Sequence, residues 1–124
     1  MTWSQENPLK KPGRLGLITI VKKVRALISA GDVRISEHGY DELVEDGLSA
    51  REVLGGVQEA MLVEEYPDFA KGPCALFLQK DRMGMPIHVV WGIPKGCDKP
   101  VVLVTAYRPD SGRWDETFTK RKKQ

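Results

Sequence analysis

The chain has 124 residues, of which 41% are hydrophobic and 29% are charged, and its net charge is +2. These values are typical of one globular domain and leave too little apolar material for a second core. No apolar run approaches the roughly 18 residues that a membrane span requires, and the N-terminus lacks the pattern of a secretory signal, so we expect a cytoplasmic protein without membrane association.

The small net charge conceals a strong asymmetry along the chain. Residues 1–31 carry a net charge of +5, residues 32–69 a net charge of −9 and residues 70–124 a net charge of +6. Basic ends around an acidic middle are compatible with an RNA ligand and also with a basic protein partner.

Helical periodicity dominates the first half of the chain. Residues 1–14 contain prolines without an apolar period, which predicts a flexible arm. Apolar residues at helical spacing then predict an amphipathic helix over 15–30. Ser36 is a candidate N-cap of a second helix, and Ser49 with Glu52 has the form of a capping box that opens a third.

A period of two begins near residue 60. Segments rich in β-branched and aromatic residues predict four strands, at 60–66, 74–81, 87–93 and 101–108. Short loops separate them, which favours a four-stranded antiparallel meander with the helices packed on one face. The expected domain is α+β and spans 15–118, followed by a basic tail at 119–124.

The loop lengths predict how the strands align. If 82–85 form the turn between the second and third strands, Gln79 faces His88 on the open side of the sheet, and Arg108 joins them at one end. The same register directs Thr105 and Tyr107 toward the core. The strand residues expected to pack against the helices are Cys74, Leu76, Leu78, Ile87, Val89 and Trp91.

Several short motifs follow one another in an order that resembles a known family. They are Ser36-x-His38, Asp46-Gly47-Leu48-Ser49, Tyr66-Pro67, Pro86-x-His88-Val89-Val90-Trp91-Gly92 and Val104-Thr105-Ala106-Tyr107-Arg108-Pro109, with Trp114 after the last. Over about residues 33–115 they resemble the bacterial domain-of-unknown-function family 4258. The resemblance implies a fold similar to that of small RelE- and barnase-type RNase toxins, which cleave RNA without a metal.

The resemblance also identifies a departure from the common pattern of the family. Many members carry arginine at the positions of Glu42 and Asp46. Two acids in place of two phosphate-binding cations count against RNA binding at that surface.

The two histidines of the chain, His38 and His88, are the candidates for acid–base chemistry. Metal-free RNA cleavage requires a base for the 2′-hydroxyl, an acid for the leaving 5′-oxygen and cations near the phosphorane. If His38, His88 and Arg108 converge, they meet these needs as catalytic residues. The candidate substrate-binding residues are Gln79, Lys71, Thr105 and Tyr107. In the competing structural interpretation, His38 is a helix residue and His88 is a sheet residue bonded by Gln79.

Neither metal nor cofactor chemistry is indicated by the sequence. Cys74 and Cys97 form no Cys-x-x-Cys motif and are expected to be free thiols, and no close spacing joins them to the histidines as a zinc site. The alternative to an RNase is a non-enzymatic protein-binding module, for example half of a toxin–antitoxin pair, whose acidic segment 37–69 attracts a basic partner. A homodimer through the exposed sheet face is equally compatible.

Overall fold

The structure is a computed structural model that describes the backbone of residues 12–123 and the side chains from residue 20 onward. Most of the predicted arm, 1–14, therefore lies outside the described residues. Three α-helices, one short 3-10 helix and five strands make up the described part of the chain. In order they are α1 (Pro12–Ser29), β1 (Val33–Ile35), α2 (Glu37–Glu45), α3 (Ala50–Gly55), the 3-10 helix (Val57–Glu59), β2 (Met61–Tyr66), β3 (Cys74–Lys80), β4 (Pro86–Gly92) and β5 (Val101–Tyr107).

The three predicted helices are confirmed, and their capping residues act as predicted. Ser36 Oγ accepts a hydrogen bond from Gly39 N at 2.9 Å and caps α2. Ser49 and Glu52 form the reciprocal capping box of α3. These bonds satisfy N–H groups that the first turn of a helix leaves unpaired. After α2, Gly47 has a φ of +68°, a left-handed conformation that glycine adopts without steric cost.

The prediction of a four-stranded antiparallel sheet is wrong in one respect, because the sheet has five strands and is mixed. Its strand order is β1-β5-β4-β3-β2. Strands β2 to β5 form the predicted antiparallel meander, whereas β1 pairs in parallel with β5. Val33–Ile35 is only three residues long, so its alternation is too short to show a period. Because β1 leads directly into α2, the start of that helix lies beside β5.

The predicted register of β3 against β4 is wrong by one residue. The turn comprises residues 81–85, so Leu78 rather than Gln79 faces His88. The carboxylate of Asp81 accepts the N–H groups that follow it in the turn, and this local pairing lengthens the connection. The shift reverses the faces of β3 but not those of β4. Ala75, Phe77 and Gln79 point toward the helices, and Cys74, Leu76 and Leu78 point away.

The predicted orientation of the last strand is also wrong, because β5 contains a β-bulge at Val104. Thr105 pairs with Val90, whereas Leu103 pairs with the very next residue of β4. The extra residue reverses the alternation along the rest of the strand. Thr105 and Tyr107 therefore lie on the side of the sheet away from the helices.

One hydrophobic core fills the space between the helices and the sheet. The side chain of Gln79 lies inside it, where its Nε2 donates to Val53 O at 2.8 Å and its Oε1 accepts from Trp91 Nε1 at 2.9 Å. Gln79 is therefore not the partner of His88 that the sequence indicated. The buried members of the core are Ile20, Val24, Leu43, Leu48, Val53, Val57, Ala60, Ala75, Phe77, Ile87, Val89, Trp91, Val101, Leu103 and Ala106.

Two further features of the described residues bear on function. No helix among them is both long enough and apolar enough to cross a membrane. Cys74 and Cys97 are free thiols, as predicted.

The contact between α2 and β5 predicts a specific effect of one methyl group. A Cβ at Gly39 would lie 2.7 Å from both Leu103 Cδ2 and Leu103 O, whereas a Cβ at Gly55 in α3 meets nothing within 4 Å. We expect Gly39→Ala to lower the free energy of unfolding by about 2 kcal/mol, because the added volume forces the helix off the strand. Gly55→Ala should be neutral or stabilising by up to about 1 kcal/mol. Urea denaturation of both variants measures the difference, and equal stabilities would contradict this account of the contact.

Candidate functional site

The face of the sheet that points away from the helices, here called the outer face, is divided into two halves. Near the start of β3 and the end of β4 it forms an open pocket, which we call the sheet pocket. Further along the same strands it is covered by residues 110–123, here called the C-terminal segment. The two predicted histidines are divided between these halves.

The sheet pocket has a volume of about 410 Å³ and an apolar floor with a basic rim. Its floor is formed by side chains of β3 and β5 and by the ring of Phe69, which is 49% exposed. The rim carries the side chains of Arg34, His38 and Lys71. An apolar surface beside several convergent polar groups is the usual character of a ligand site.

His38 reaches the pocket because the first turn of α2 is attached to β5. Ser36 N donates to Leu103 O at 3.1 Å, and Ser36 Oγ donates to Val104 O at 3.1 Å. The imidazole itself is 67% exposed, and its Nε2 lies 3.9 Å from the carboxylate of Glu42 one turn later. The backbone of His38 is thus fixed at the edge of the sheet while its ring remains open to solvent.

Lys71 reaches the same pocket because two loops are joined at their backbones. Lys95 N donates to Lys71 O at 2.9 Å, and Ile93 N donates to Pro73 O at 3.0 Å. Between them, Gly72 has a φ of +131°, and a Cβ at this position would lie 2.0 Å from Ile93 O, so only glycine fits. The closely joined loops hold Lys71 at the rim.

The electrostatic character of the sheet pocket is positive. Arg34 and Lys71 are both exposed, and neither forms an ion pair with a carboxylate among the described residues. In the floor, burial raises the pKa of the Cys74 thiol, which therefore stays protonated and unreactive. The pocket is suited to an anion that also presents an apolar surface.

His88 lies in the other half of the outer face, beneath the C-terminal segment. Its side chain is fully buried, and its Nε2 lies 2.8 Å from Phe118 O. The ring packs edge-on against Trp114, with 4.5 Å between ring centroids, and against Tyr107, with 5.5 Å. Since a carbonyl only accepts, Nε2 carries the proton, and Nδ1 is left without a hydrogen-bond partner among the described residues. Burial lowers the pKa of His88.

An ion pair fastens the C-terminal segment over this half of the sheet. Within the predicted basic tail, the Arg121 guanidinium donates to both carboxylate oxygens of Glu64, at 2.8 and 3.0 Å, and lies 4.6 Å from the Trp114 ring centre. The guanidinium lowers the pKa of Glu64. The hydroxyl of Tyr66 also donates to Glu64, and burial together with that carboxylate raises the pKa of Tyr66 to about 12.

Arg108 lies at the far end of the sheet from the sheet pocket. Its guanidinium donates to Asp81 Oδ2 at 2.9 Å, and its backbone N–H donates to Asp46 Oδ2 at 3.1 Å. Asp81 follows the last residue of β3, whereas Cys74 at the pocket is the first. Seven strand residues separate these ends by roughly 20 Å. The bond to Arg108 N also gives Asp46 a structural role.

The structure therefore brings together some of the predicted site residues and separates others. His38 and Lys71 line one pocket, His88 and Tyr107 form a second cluster, Arg108 pairs with Asp81, and Gln79 is a core residue. Sequence reasoning missed Arg34 and Phe69 at the pocket. Arg34 lies in the three-residue strand that showed no period, and Phe69 lies in a loop, where no periodic signal exists.

The buried imidazole predicts a pH dependence of stability. Because the pKa of His88 is lowered from its ordinary value of 6.5, the unfolded chain binds a proton near that pH and the folded chain does not. We expect the contribution of His88 to make the free energy of unfolding fall between about pH 7 and 5. His88→Gln should remove most of this slope, while the control His38→Gln should retain it. Urea denaturation across this range measures the slope, and an unchanged slope in His88→Gln would contradict the assignment.

Among the described residues, no three His, Cys, Asp or Glu side chains are grouped so as to hold a metal ion.

Comparisons with known proteins agree with the motifs. Neither a curated protein nor a solved structure matches the chain. The model of one family, described as a domain of unknown function (DUF4258), matches residues 35–108, which include α2 and the strands β2 to β5. The chain belongs to the DUF4258 family.

Proposed function

We propose that the protein is a metal-independent endoribonuclease that binds single-stranded RNA in the sheet pocket. The observation that carries the proposal is the convergence of Arg34, His38 and Lys71, from three different elements, on one apolar-floored pocket. Three basic groups around an apolar surface suit a nucleotide, since cations bind its phosphate and an apolar surface receives its base. The proposal groups the domain with the RelE- and barnase-type RNases, to whose fold the family resemblance implies a similarity.

In this mechanism His38 is the general base. Its neutral imidazole accepts the proton of the ribose 2′-hydroxyl, whose oxygen attacks the adjacent phosphorus. Lys71 and Arg34 neutralise the charge that develops on the phosphorane. The bond from phosphorus to the 5′-oxygen breaks, that oxygen takes a proton from the Lys71 ammonium, and a 2′,3′-cyclic phosphate remains.

Two other side chains have supporting roles in the proposal. The half-exposed ring of Phe69 offers a stacking platform for a base, an interaction that tolerates any sequence. Glu42, at one of the positions where many relatives carry arginine, lies 3.9 Å from His38 Nε2. There it acts as a positioning residue, since its carboxylate lies on the same side of the helix as the imidazole and can orient that ring.

A second candidate function, a protein-binding module, is supported by a different surface. On the outward side of α2, Tyr40 is 59% exposed and Val44 is 64% exposed, one helical turn apart. The exposed acids Glu37, Asp41 and Glu45 flank them. A basic amphipathic partner would complement this surface, as in a toxin–antitoxin pair, and a second copy of the chain is the other candidate occupant.

Cleavage of a structured RNA pool in the presence of EDTA tests the enzymatic proposal. We expect His38→Ala to lose at least about 100-fold in rate, because it removes the general base, and Lys71→Ala to lose about 10- to 100-fold. The matched control is Lys80→Ala, an exposed lysine at the opposite end of β3, which should cleave at the wild-type rate.

The outcomes of this assay separate the two candidate functions. Products should end in 2′,3′-cyclic phosphate, which mass spectrometry detects. Cleavage that persists in His38→Ala, or that EDTA abolishes, would contradict the mechanism. Absence of cleavage, together with binding of a basic peptide that Tyr40→Ala and Val44→Ala weaken, would favour the protein-binding module.

A further inference from the structure

We infer that the C-terminal segment is a displaceable cover over a second part of the RNA-binding surface, formed by His88 and Tyr107 and closed by the ion pair between Arg121 and Glu64. The assignment of RNA as ligand rests on the proposed function. The cover itself rests only on the contacts that the segment makes with the sheet and within itself.

What lies beneath the C-terminal segment is polar, which is unusual for a permanently buried surface. His88 is fully buried, and its Nδ1 has no hydrogen-bond partner among the described residues. Leaving a buried polar atom unpaired is costly, and an apolar residue at this position would avoid the cost. Tyr107 packs against the same ring, and the carboxylate of Glu64, which accepts from the Tyr66 hydroxyl, lies near it. Such a cluster is typical of a site that meets a ligand rather than of a core.

The C-terminal segment keeps its own shape through internal hydrogen bonds. Asp115 N donates to Lys120 O at 2.8 Å, and Lys122 N donates to Arg113 O at 2.8 Å. The Asp115 carboxylate also accepts from Thr117 Oγ1 at 2.7 Å. Because these bonds do not involve the sheet, the segment can lift from it without losing them.

Few polar contacts join the C-terminal segment to the sheet. Among the described residues they are the ion pair of Arg121 with Glu64 and the hydrogen bond from His88 Nε2 to Phe118 O. The Trp114 ring adds an apolar contact with His88. Phe118 has a φ of +60°, a left-handed conformation that is unfavourable for a bulky residue. The carbonyl that accepts from His88 is thus presented by a residue of the segment's own turn, whose N–H donates to Asp115 O at 2.9 Å.

The covered cluster lies on the same face of the sheet as the sheet pocket. His88 lies four residues before Gly92 on β4, and Gly92 lines the pocket, which places the two about 13 Å apart along the strand. Release of the segment would expose both histidines on one face. Freed from the Phe118 carbonyl, His88 Nε2–H and the Tyr107 hydroxyl become hydrogen-bond donors for an RNA strand that leaves the pocket.

Reversing the charge of Arg121 tests, without RNA, whether the C-terminal segment is a displaceable cover. Carbethoxylation by diethyl pyrocarbonate at pH 7, read by mass spectrometry, reports whether each histidine is accessible, and the exposed His38 serves as the reference within every sample. In the wild type we expect His38 to react and His88 to be protected. Arg121→Glu should increase the reaction rate of His88 at least tenfold, because like charges then face each other at Glu64.

Two further variants control for loss of structure. The double variant Glu64→Arg with Arg121→Glu should restore protection, because the ion pair is rebuilt with its charges exchanged. Arg113→Glu reverses a charge of the same segment whose contact is with Asp110 of that segment, and should leave His88 protected. A folded Arg121→Glu variant in which His88 stays protected, or a wild type in which both histidines react equally, would overturn the cover.

A binding measurement tests whether the covered surface extends the RNA site. With a 2′-O-methylated RNA of 12 nucleotides, which cannot be cleaved, we expect Arg121→Glu to bind at least threefold more tightly than the wild type despite its lost positive charge. If His88 is accessible in Arg121→Glu but this variant does not bind RNA more tightly, the covered surface is not part of the RNA site. A wild type that binds no RNA would instead overturn the proposed function. The reactivity of His88 would still show whether the C-terminal segment is a displaceable cover.

Discussion

At Gly39, helix α2 lies so close to β5 that no side chain fits there, and the arrangement of the pocket depends on this contact. A Cβ at Gly39 would lie 2.7 Å from Leu103. One turn earlier, Ser36 bonds the Gly39 amide with its side chain and the backbone of β5 with both its amide and its hydroxyl. The cap of the helix and the edge of the sheet are therefore held by the same residue. This is why His38, whose ring is in solvent, still has a defined position relative to Lys71.

The outer face shows two ways of treating a sheet surface that the helices do not cover. An apolar sheet face in water is unfavourable, so such faces are usually covered. At one half the C-terminal segment provides the cover, with Trp114 packed on the sheet and Arg121 fastening the edge. At the other half the joined loops leave a pocket with a basic rim. The cover buries the ring of His88, one nitrogen of which has no hydrogen-bond partner among the described residues. Burying this polar atom without a hydrogen bond is unfavourable for the folded state.

The role of each charged side chain depends on its contacts in the fold rather than on the net charge of its segment of sequence. Within the acidic middle of the sequence, Glu52 caps α3, Glu64 pairs with Arg121, and Asp46 accepts from a backbone N–H. Each of these carboxylates has a structural partner, and the charge of Glu64 is balanced by the guanidinium that it binds. The exposed acids Glu37, Asp41 and Glu45 form no ion pair with a lysine or arginine among the described residues and lie on α2, while the sheet pocket carries Arg34 and Lys71. An acidic stretch of sequence and a basic pocket therefore coexist in one small domain.

The sequence by itself determined the helices, their caps and the four longer strands, because periodicity and capping are local properties of neighbouring residues. It also determined the family, and it identified His38 and Lys71 as candidate residues. Only the tertiary structure decided which residues meet. A five-residue turn and a single bulge shifted the strands by one position each, and one position reverses the face of every following side chain. Gln79 thereby became a core residue, Arg108 paired at the far end of the sheet, and His88 was covered by a segment that lies 30 residues away along the chain.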